Sequence, residues 1–259
     1  MPRHLAAAIT DALALGALGA GPIAARRARW FFRFSTDFAR MREDVRAVEG
    51  LVAEASGLER LDALREARRG FLLASAHLGN WELGAAIAAR RGIPVTVVSE
   101  RAPDAALDRW REETRSRYGV STAYVGDPSL APRILDALRA GGCVAMLVDR
   151  EREPGAGAAR IASAIGAPIV PAFVPFRADG LYAARVGDPV ATAEALRAAL
   201  RSAVDAWGDQ WYPPPPERVA KGEERRAKGE DPHARRSSLL APRSSLLSPA
   251  LVQESTKIW

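Results

Sequence analysis

The chain has 259 residues, enough for one large α/β domain or two small ones, and its 48% hydrophobic and 26% charged residues are the ordinary balance of a globular protein. Its single cysteine, Cys143, excludes a disulfide framework within the chain and favours a reducing, cytosolic compartment. The net charge of +6 indicates a partner such as nucleic acid, an anionic membrane surface or an acidic substrate, although a solvated arginine-rich surface explains it equally well.

Residues 1–50 predict a helical region in contact with a membrane. The segment 5–25 is apolar and rich in alanine and glycine, but it carries Asp11 and is marginal as a membrane span. The arginine cluster at 26–29 follows the apolar part instead of preceding it, which is the wrong polarity for a signal peptide. Basic residues beside the aromatic residues 30–32 suit a cytoplasmic membrane interface, and the alternative is a helix of the soluble core.

Hydrophobic periodicity predicts two amphipathic helices, over residues 33–53 and 57–68, before a regular alternation of strands and helices begins. Strands are expected from residue 71 and over 93–98, 120–125, 143–148, 169–176 and 182–186, and helices over 81–89, 103–118, 128–140, 157–165 and 191–207. This alternation indicates βαβ units, and therefore an α/β fold with a mixed, mostly parallel sheet flanked by helices.

The composition changes after residue 212. Four prolines at 213–216 are followed by a segment dense in charge and by two short, nearly repeated Arg-Ser-Ser-Leu-Leu strings. This composition predicts that residues 213–259 form a disordered tail and that residues 51–212 form the folded domain.

One stretch has the features of a catalytic loop. An apolar run that begins at Phe71 ends in a polar turn containing His77 and then opens a helix at Trp81. Chemistry in α/β proteins commonly lies where a buried strand ends in a loop. The other two histidines, His4 and His233, lie near the chain ends, so His77 is the candidate for histidine chemistry.

Two further residues of this stretch complete the hypothesis. Asn80 is placed to cap the following helix, which puts Glu82 in its first turn, where the helix dipole stabilises a carboxylate. Glu82 would then orient the imidazole of His77, which would act as general base on a hydroxyl. By spacing alone, a hydrogen-bonded structural histidine is the commoner explanation. Metal ligation is disfavoured because no second His or Cys accompanies the pair.

The string His-Leu-Gly-Asn-Trp-Glu at residues 77–82 resembles the His-x4-Asp/Glu motif of the glycerolipid acyltransferase superfamily. In particular it is similar to the bacterial lipid A biosynthesis late acyltransferase (lauroyl/myristoyl acyltransferase) family. The resemblance spans roughly residues 51–211 and continues in chain order through segments 56–61, 115–119, 135–149, 157–162, 166–171 and 210–211.

The resemblance implies that His77 deprotonates an acceptor hydroxyl with support from Glu82. The hydroxyl then attacks the thioester of an acyl-carrier protein or acyl-CoA, without a metal or other cofactor. Arg115 would neutralise an anionic phosphate or support Glu82, and Arg117 is a second candidate for binding substrate. For both arginines a solvated helix face is the alternative.

The remaining implications concern binding and location. Asn80 and Arg160 are further substrate-binding candidates, although Arg160 is equally explained as a helix surface charge. The implied partners are an acyl carrier protein, a lipid A precursor or related membrane lipid, and an anionic membrane surface at the cytoplasmic face of the inner membrane. The protein would be held there peripherally or by a single N-terminal anchor. No nucleic-acid-binding module is recognisable, so nucleic acid is not expected as a partner.

One departure from the family pattern supports a second hypothesis. After Asp149 the family carries a longer stretch with an aromatic-aromatic-Gly element, whereas residues 150–156 are short and polar here. The alternative is therefore a catalytically degenerate member that binds lipid or a partner without turnover.

Overall fold

The computed structural model describes residues 22–102, 105–151 and 153–212, which form a seven-stranded sheet covered by helices on both faces. The strands are β1 (Val52–Ser56), β2 (Phe71–Ser75), β3 (Val95–Ser99), β4 (Val120–Tyr124), β5 (Cys143–Leu147), β6 (Ile169–Phe173) and β7 (Tyr182–Val186). The helices in this part of the chain are α1 (Pro22–Glu43), α2 (Ala47–Leu51), α3 (Leu58–Glu66), α4 (Trp81–Arg90), α5 (Ala105–Ser116), α6 (Leu130–Arg139), α7 (Ala156–Ile165) and α8 (Ala193–Trp207), followed by a 3-10 turn (Gly208–Gln210).

The sheet order is β1-β7-β6-β2-β5-β3-β4. Strands β6, β2, β5, β3 and β4 run parallel to one another, whereas β7 is antiparallel to β6 and parallel to β1. The predicted α/β fold with a mixed, mostly parallel sheet is therefore confirmed.

Strand β2 lies at the centre of the sheet and is buried on both faces. Phe71 and Leu73 pack into one hydrophobic cluster with residues of α1 to α5, and Leu72 and Ala74 pack into a second with residues of α6 to α8. A strand covered on both faces is apolar throughout instead of alternating, which explains the continuous apolar run of its sequence.

The register between β2 and β5 decides which loops meet. The two strands are parallel, and Ser75 at the end of β2 lies opposite Leu147 at the end of β5. Residues two positions beyond each strand, His77 and Asp149, are thus delivered to the same edge of the sheet.

The predicted helix over residues 33–53 is wrong at its C-terminal end. The chain ends α1 at Glu43, forms the short helix α2 and then enters β1, which periodicity did not predict. Four of the five residues of β1 are exposed, so this edge strand has no hydrophobic alternation to detect. Parallel pairing with β7 forms it, together with an ion pair of 2.7 Å between Arg185 Nη2 and Glu54 Oε1.

Helix α1 packs into the same hydrophobic cluster as the sheet and is fixed to it by a buried polar contact. Phe38 and Met41 are buried in that cluster. The Tyr182 hydroxyl donates a 2.9 Å hydrogen bond to Asp37 Oδ2, which also accepts one of 3.0 Å from Arg33 Nε. Burial, followed by the negative charge of Asp37, raises the pKa of Tyr182 well above its usual value, so its hydroxyl remains a donor.

Two predictions concern regions at the chain ends. Residues 1–21, which include most of the predicted membrane segment, and the predicted disordered tail at 213–259 lie outside the described residues. Within the described ranges, no helix combines the length and the apolar character that crossing a bilayer requires.

Replacement of Asp37 tests how α1 is held. We expect Asp37→Ala to lower the free energy of unfolding by about 1–3 kcal/mol, because the buried Tyr182 hydroxyl loses its acceptor. Urea unfolding measures this, with Asp188→Ala as control: that carboxylate also pairs with an arginine, Arg60, but is 84% exposed. Equal losses in the two variants would contradict the anchoring role.

Candidate active site

The His77 imidazole is held by the carboxylate of Asp149. His77 Nδ1 lies 2.9 Å from Asp149 Oδ1, and the His77 backbone N–H donates to Asp149 Oδ2 over 3.1 Å. The Trp211 indole N–H donates to the same Oδ2 over 2.9 Å. Glu82 was the predicted orienting carboxylate, but Asp149 occupies that position because the register of β2 and β5 brings the two loops together.

The protonation state of the pair follows from its surroundings. The Asp149 side chain is 6% exposed, and burial alone would raise its pKa. The hydrogen bonds from His77 and Trp211 nevertheless hold that pKa below its usual value. An ionised Asp149 accepts only, so the proton of a neutral imidazole sits on Nδ1 and Nε2 carries the free lone pair.

The loop that carries His77 is fixed at its far end by the start of α4. Asn80 accepts a 2.9 Å hydrogen bond from the Leu83 backbone N–H, which confirms the predicted N-cap. Its own backbone N–H donates to the Val174 carbonyl over 2.9 Å. Asn80 is fully buried and serves this turn, whereas its predicted contact with substrate stays a prediction.

Gly79 allows the loop to approach the end of β6 closely. Its φ is +63°, and a Cβ at this position would lie 2.2 Å from the Val174 carbonyl oxygen. Both the left-handed conformation and the lack of space therefore require glycine here.

The last described segment closes the site from the other side. The Gln210 side chain makes two hydrogen bonds with the Phe176 backbone, accepting at 2.7 Å and donating at 3.0 Å. The Tyr212 N–H donates to the His77 carbonyl over 2.8 Å. Sequence analysis recognised Gln210 and Trp211 only as a closing motif, and their contacts show that this segment holds the His77 loop.

Glu82 forms a buried, bidentate ion pair with Arg115. Arg115 Nε and Nη2 donate to Glu82 Oε2 and Oε1 over 2.9 and 2.6 Å, and the two side chains are 6% and 4% exposed. Burial alone would lower the pKa of Arg115, but the adjacent carboxylate of Glu82 raises it. Of the two roles implied for Arg115, support of Glu82 is the one observed.

A cavity of about 700 Å³ lies beside these residues. His77, Glu82 and Arg115 line it together with Arg111, which the sequence analysis did not single out. The rest of the lining is largely apolar or aromatic and includes Phe34, Phe38, Leu58, Leu61, Leu73, Trp81, Val97, Trp110, Ala172 and Val186. The two remaining candidates, Arg117 and Arg160, are exposed and do not contribute to this lining.

The arrangement brings a carboxylate-held imidazole next to an apolar cavity. The Trp81 ring makes an edge contact with the His77 ring at a centroid distance of 5.2 Å. The chemistry available is general base catalysis on a group bound in the cavity by apolar contacts. The one sequence signal for Asp149 is that it directly follows the predicted strand 143–148, but the pairing of that strand with β2, which brings the two loops together, is not visible in local pattern.

Comparison with known proteins adds an independent finding. A family model described as "Bacterial lipid A biosynthesis acyltransferase" matches residues 40–195, more than half of the chain. The matched range contains His77, Glu82, Arg115 and Asp149 and ends before Trp211. No curated protein matches the chain.

The close approach at Gly79 gives a first prediction for the site. We expect Gly79→Ala to destabilise the fold by about 1–3 kcal/mol more than Gly119→Ala, because overpacking against Val174 adds to the conformational strain. Gly119 is a matched control, since its φ is +74° but a Cβ there would meet nothing within 4 Å. Chemical unfolding of both variants measures the difference, and equal losses would refute the constraint.

The buried ion pair gives a second prediction. Arg115→Met leaves the Glu82 carboxylate buried without a cation, and we expect a loss of about 3–5 kcal/mol in unfolding free energy. The double variant Glu82→Met/Arg115→Met removes both charges and should be more stable than Arg115→Met alone. A double-mutant cycle by urea unfolding tests this, and strictly additive losses would show that the two side chains are not coupled.

Proposed function

The chain belongs to the bacterial lipid A biosynthesis acyltransferase family, and we propose that it moves a fatty acyl chain from a thioester donor to a hydroxyl of an acceptor lipid. The donor would be an acyl-carrier protein or acyl-CoA, and the acceptor a lipid A precursor or a related glycolipid or phospholipid. The observation that supports this most directly is the His77 imidazole, held through Nδ1 by Asp149 at the wall of a largely apolar cavity.

The proposed reaction begins with His77 Nε2 taking the proton of the acceptor hydroxyl. The hydroxyl oxygen attacks the thioester carbonyl carbon, and Asp149 stabilises the imidazolium that forms. The carbon–sulfur bond then breaks, and the leaving thiolate takes the proton back from His77. An ester and a free thiol result, and no step calls for a metal or other cofactor.

Glu82 has a positioning role in this proposal. Its carboxylate receives both hydrogen bonds of the Arg115 fork and so ties the first turn of α4, four residues after His77, to the last turn of α5. The pair fixes the wall of the cavity next to the imidazole. The direct support of His77 by Glu82 that the resemblance implies is taken over by Asp149.

The cavity suits an acyl chain by its chemistry. Apolar side chains from α1, α3 and strands β2, β3, β6 and β7 supply its lining. Removing an acyl chain from water into such a lining is favourable by about 0.8 kcal/mol for each buried methylene group.

The surface around the cavity supports contact with a membrane. Phe31 and Leu107 are the large hydrophobic side chains that stand out to solvent in the described part of the chain, at 44% and 46% exposure, and both line the cavity. Arg26 and Arg29 are exposed on α1, the helix that carries Phe31. Apolar side chains beside basic ones suit the cytoplasmic face of an anionic inner membrane, and the net charge of +6 suits an acidic carrier protein.

A catalytically degenerate lipid-binding protein is the second candidate. It is motivated by the short segment between β5 and α7. Within it, Glu151 Oε2 accepts the Gly157 N–H over 3.1 Å at the start of α7. The intact contacts of His77, Asp149 and Trp211 favour catalysis over this alternative.

Transfer of a radiolabelled acyl chain by the purified protein tests the proposal. We expect His77→Ala to lower the rate by about 10²–10⁴-fold, because it removes the general base. Asp149→Asn should also lower it, because the negative charge that stabilises the imidazolium is lost. Asp188→Asn serves as control and should match the wild type, because that carboxylate is exposed and does not line the cavity.

The outcomes separate the two candidates. Full activity of His77→Ala would overturn the mechanism. Acyl lipid that copurifies with a wild-type protein lacking turnover above background would establish the degenerate alternative.

A further inference from the structure

Arg111 is a cation of the cavity wall that forms no ion pair with any described residue. It lies on α5 one turn before Arg115. Arg111 Nη2 donates a 3.2 Å hydrogen bond to Ser99 Oγ. None of the carboxylates in the described ranges lies within ion-pairing distance, and Arg111 Nε and Nη1 have no hydrogen-bond acceptor among the described residues.

The neighbouring carboxylates of Glu82 and Asp108 compensate for its charge only in part. The Glu82 carboxylate is occupied by the two hydrogen bonds from Arg115. Asp108 Oδ1 accepts the Ala102 N–H over 2.7 Å, and its Oδ2 faces Arg101 at 3.9 Å. Burial, followed by the positive charge of Arg115, lowers the pKa of Arg111 below its usual value. A half-buried cation in this situation favours an anion at its open side.

We propose that Arg111 forms a phosphate-binding subsite of the cavity, which holds a phosphate ester carried by one of the two substrates. The guanidinium fork matches a phosphate with two parallel hydrogen bonds, and the hydrogen bond to Ser99 Oγ orients it. A phosphate contact was one of the two roles that the resemblance implied for Arg115, but Arg115 is committed to Glu82. The inference rests on the proposed function in placing the phosphate on an acyl donor or a lipid acceptor.

Two sources supply the same chemistry. One is the phosphate of the pantetheine arm that carries the thioester in the donor, and the other is a phosphate on the head group of the acceptor. Both would enter a cavity that also contains His77, so the subsite would set the position of the reacting groups relative to the imidazole.

Isothermal titration calorimetry on the full-length protein with two pairs of soluble probes tests the subsite. One pair is 4′-phosphopantetheine against pantetheine, and the other is glucose 1-phosphate against glucose. We expect the phosphorylated member of at least one pair to bind at least about tenfold more tightly than its partner, since charge-assisted hydrogen bonds are the strong ones. The pair that shows the gain identifies the source of the phosphate.

Variants test whether Arg111 causes the tighter binding of the phosphorylated probe. Arg111→Gln should abolish this difference in affinity, and Arg111→Lys, which keeps the charge but not the guanidinium fork, should retain part of it. Arg109→Gln is the matched control, because Arg109 is exposed on the same helix outside the cavity lining and should bind as the wild type does. Thermal unfolding of each variant verifies that it is folded.

The result is independent of acyl transfer. Equal binding within both probe pairs, or an undiminished gain in Arg111→Gln, would overturn the subsite even if the protein transfers acyl chains. An Arg111-dependent gain in a protein that shows no transfer would uphold the subsite and refute the proposed function instead.

Discussion

The hydrogen bonds to the Asp149 carboxylate are the contacts on which the site depends. They join three segments that are remote in sequence: the loop after β2, the loop after β5 and the segment that follows α8. A buried carboxylate is costly unless it is hydrogen-bonded, and both oxygens of Asp149 receive donors here. The hydrogen bonds that offset the cost of burying Asp149 also fix the tautomer of His77. Both the stability of the site and its proposed chemistry therefore depend on the Asp149 carboxylate.

The two acidic residues of the site have separate tasks. Asp149 orients the imidazole, whereas Glu82 neutralises Arg115 and joins α4 to α5. Arg115 is neutralised in this way, whereas Arg111, one helical turn earlier, adds positive charge to the cavity, which Arg101, Arg150 and Arg185 also line. Because the two carboxylates have separate partners, the same largely apolar cavity can hold both the imidazole of His77 and the guanidinium of Arg111.

Helix α1 combines structural and functional roles. Helix α1 is anchored by Asp37 and packs Phe38 and Met41 into the core, yet its Phe31 is exposed at the cavity. Because one element supplies core, cavity wall and exposed apolar surface, the proposed membrane contact lies directly beside the proposed site of chemistry.

The sequence alone determined the alternation of strands and helices, the N-cap at Asn80, the polar turn before α4 and the family, because each of these depends on local pattern or motif. Periodicity missed β1, whose exposed residues form a strand only through pairing with β7. The partner of His77 was also beyond local pattern, since it is set by the pairing of strands that lie seventy-two positions apart. Tertiary structure alone decided that Glu82 neutralises Arg115 and that Arg111 stays open to the cavity, because those contacts depend on how α4 and α5 pack together.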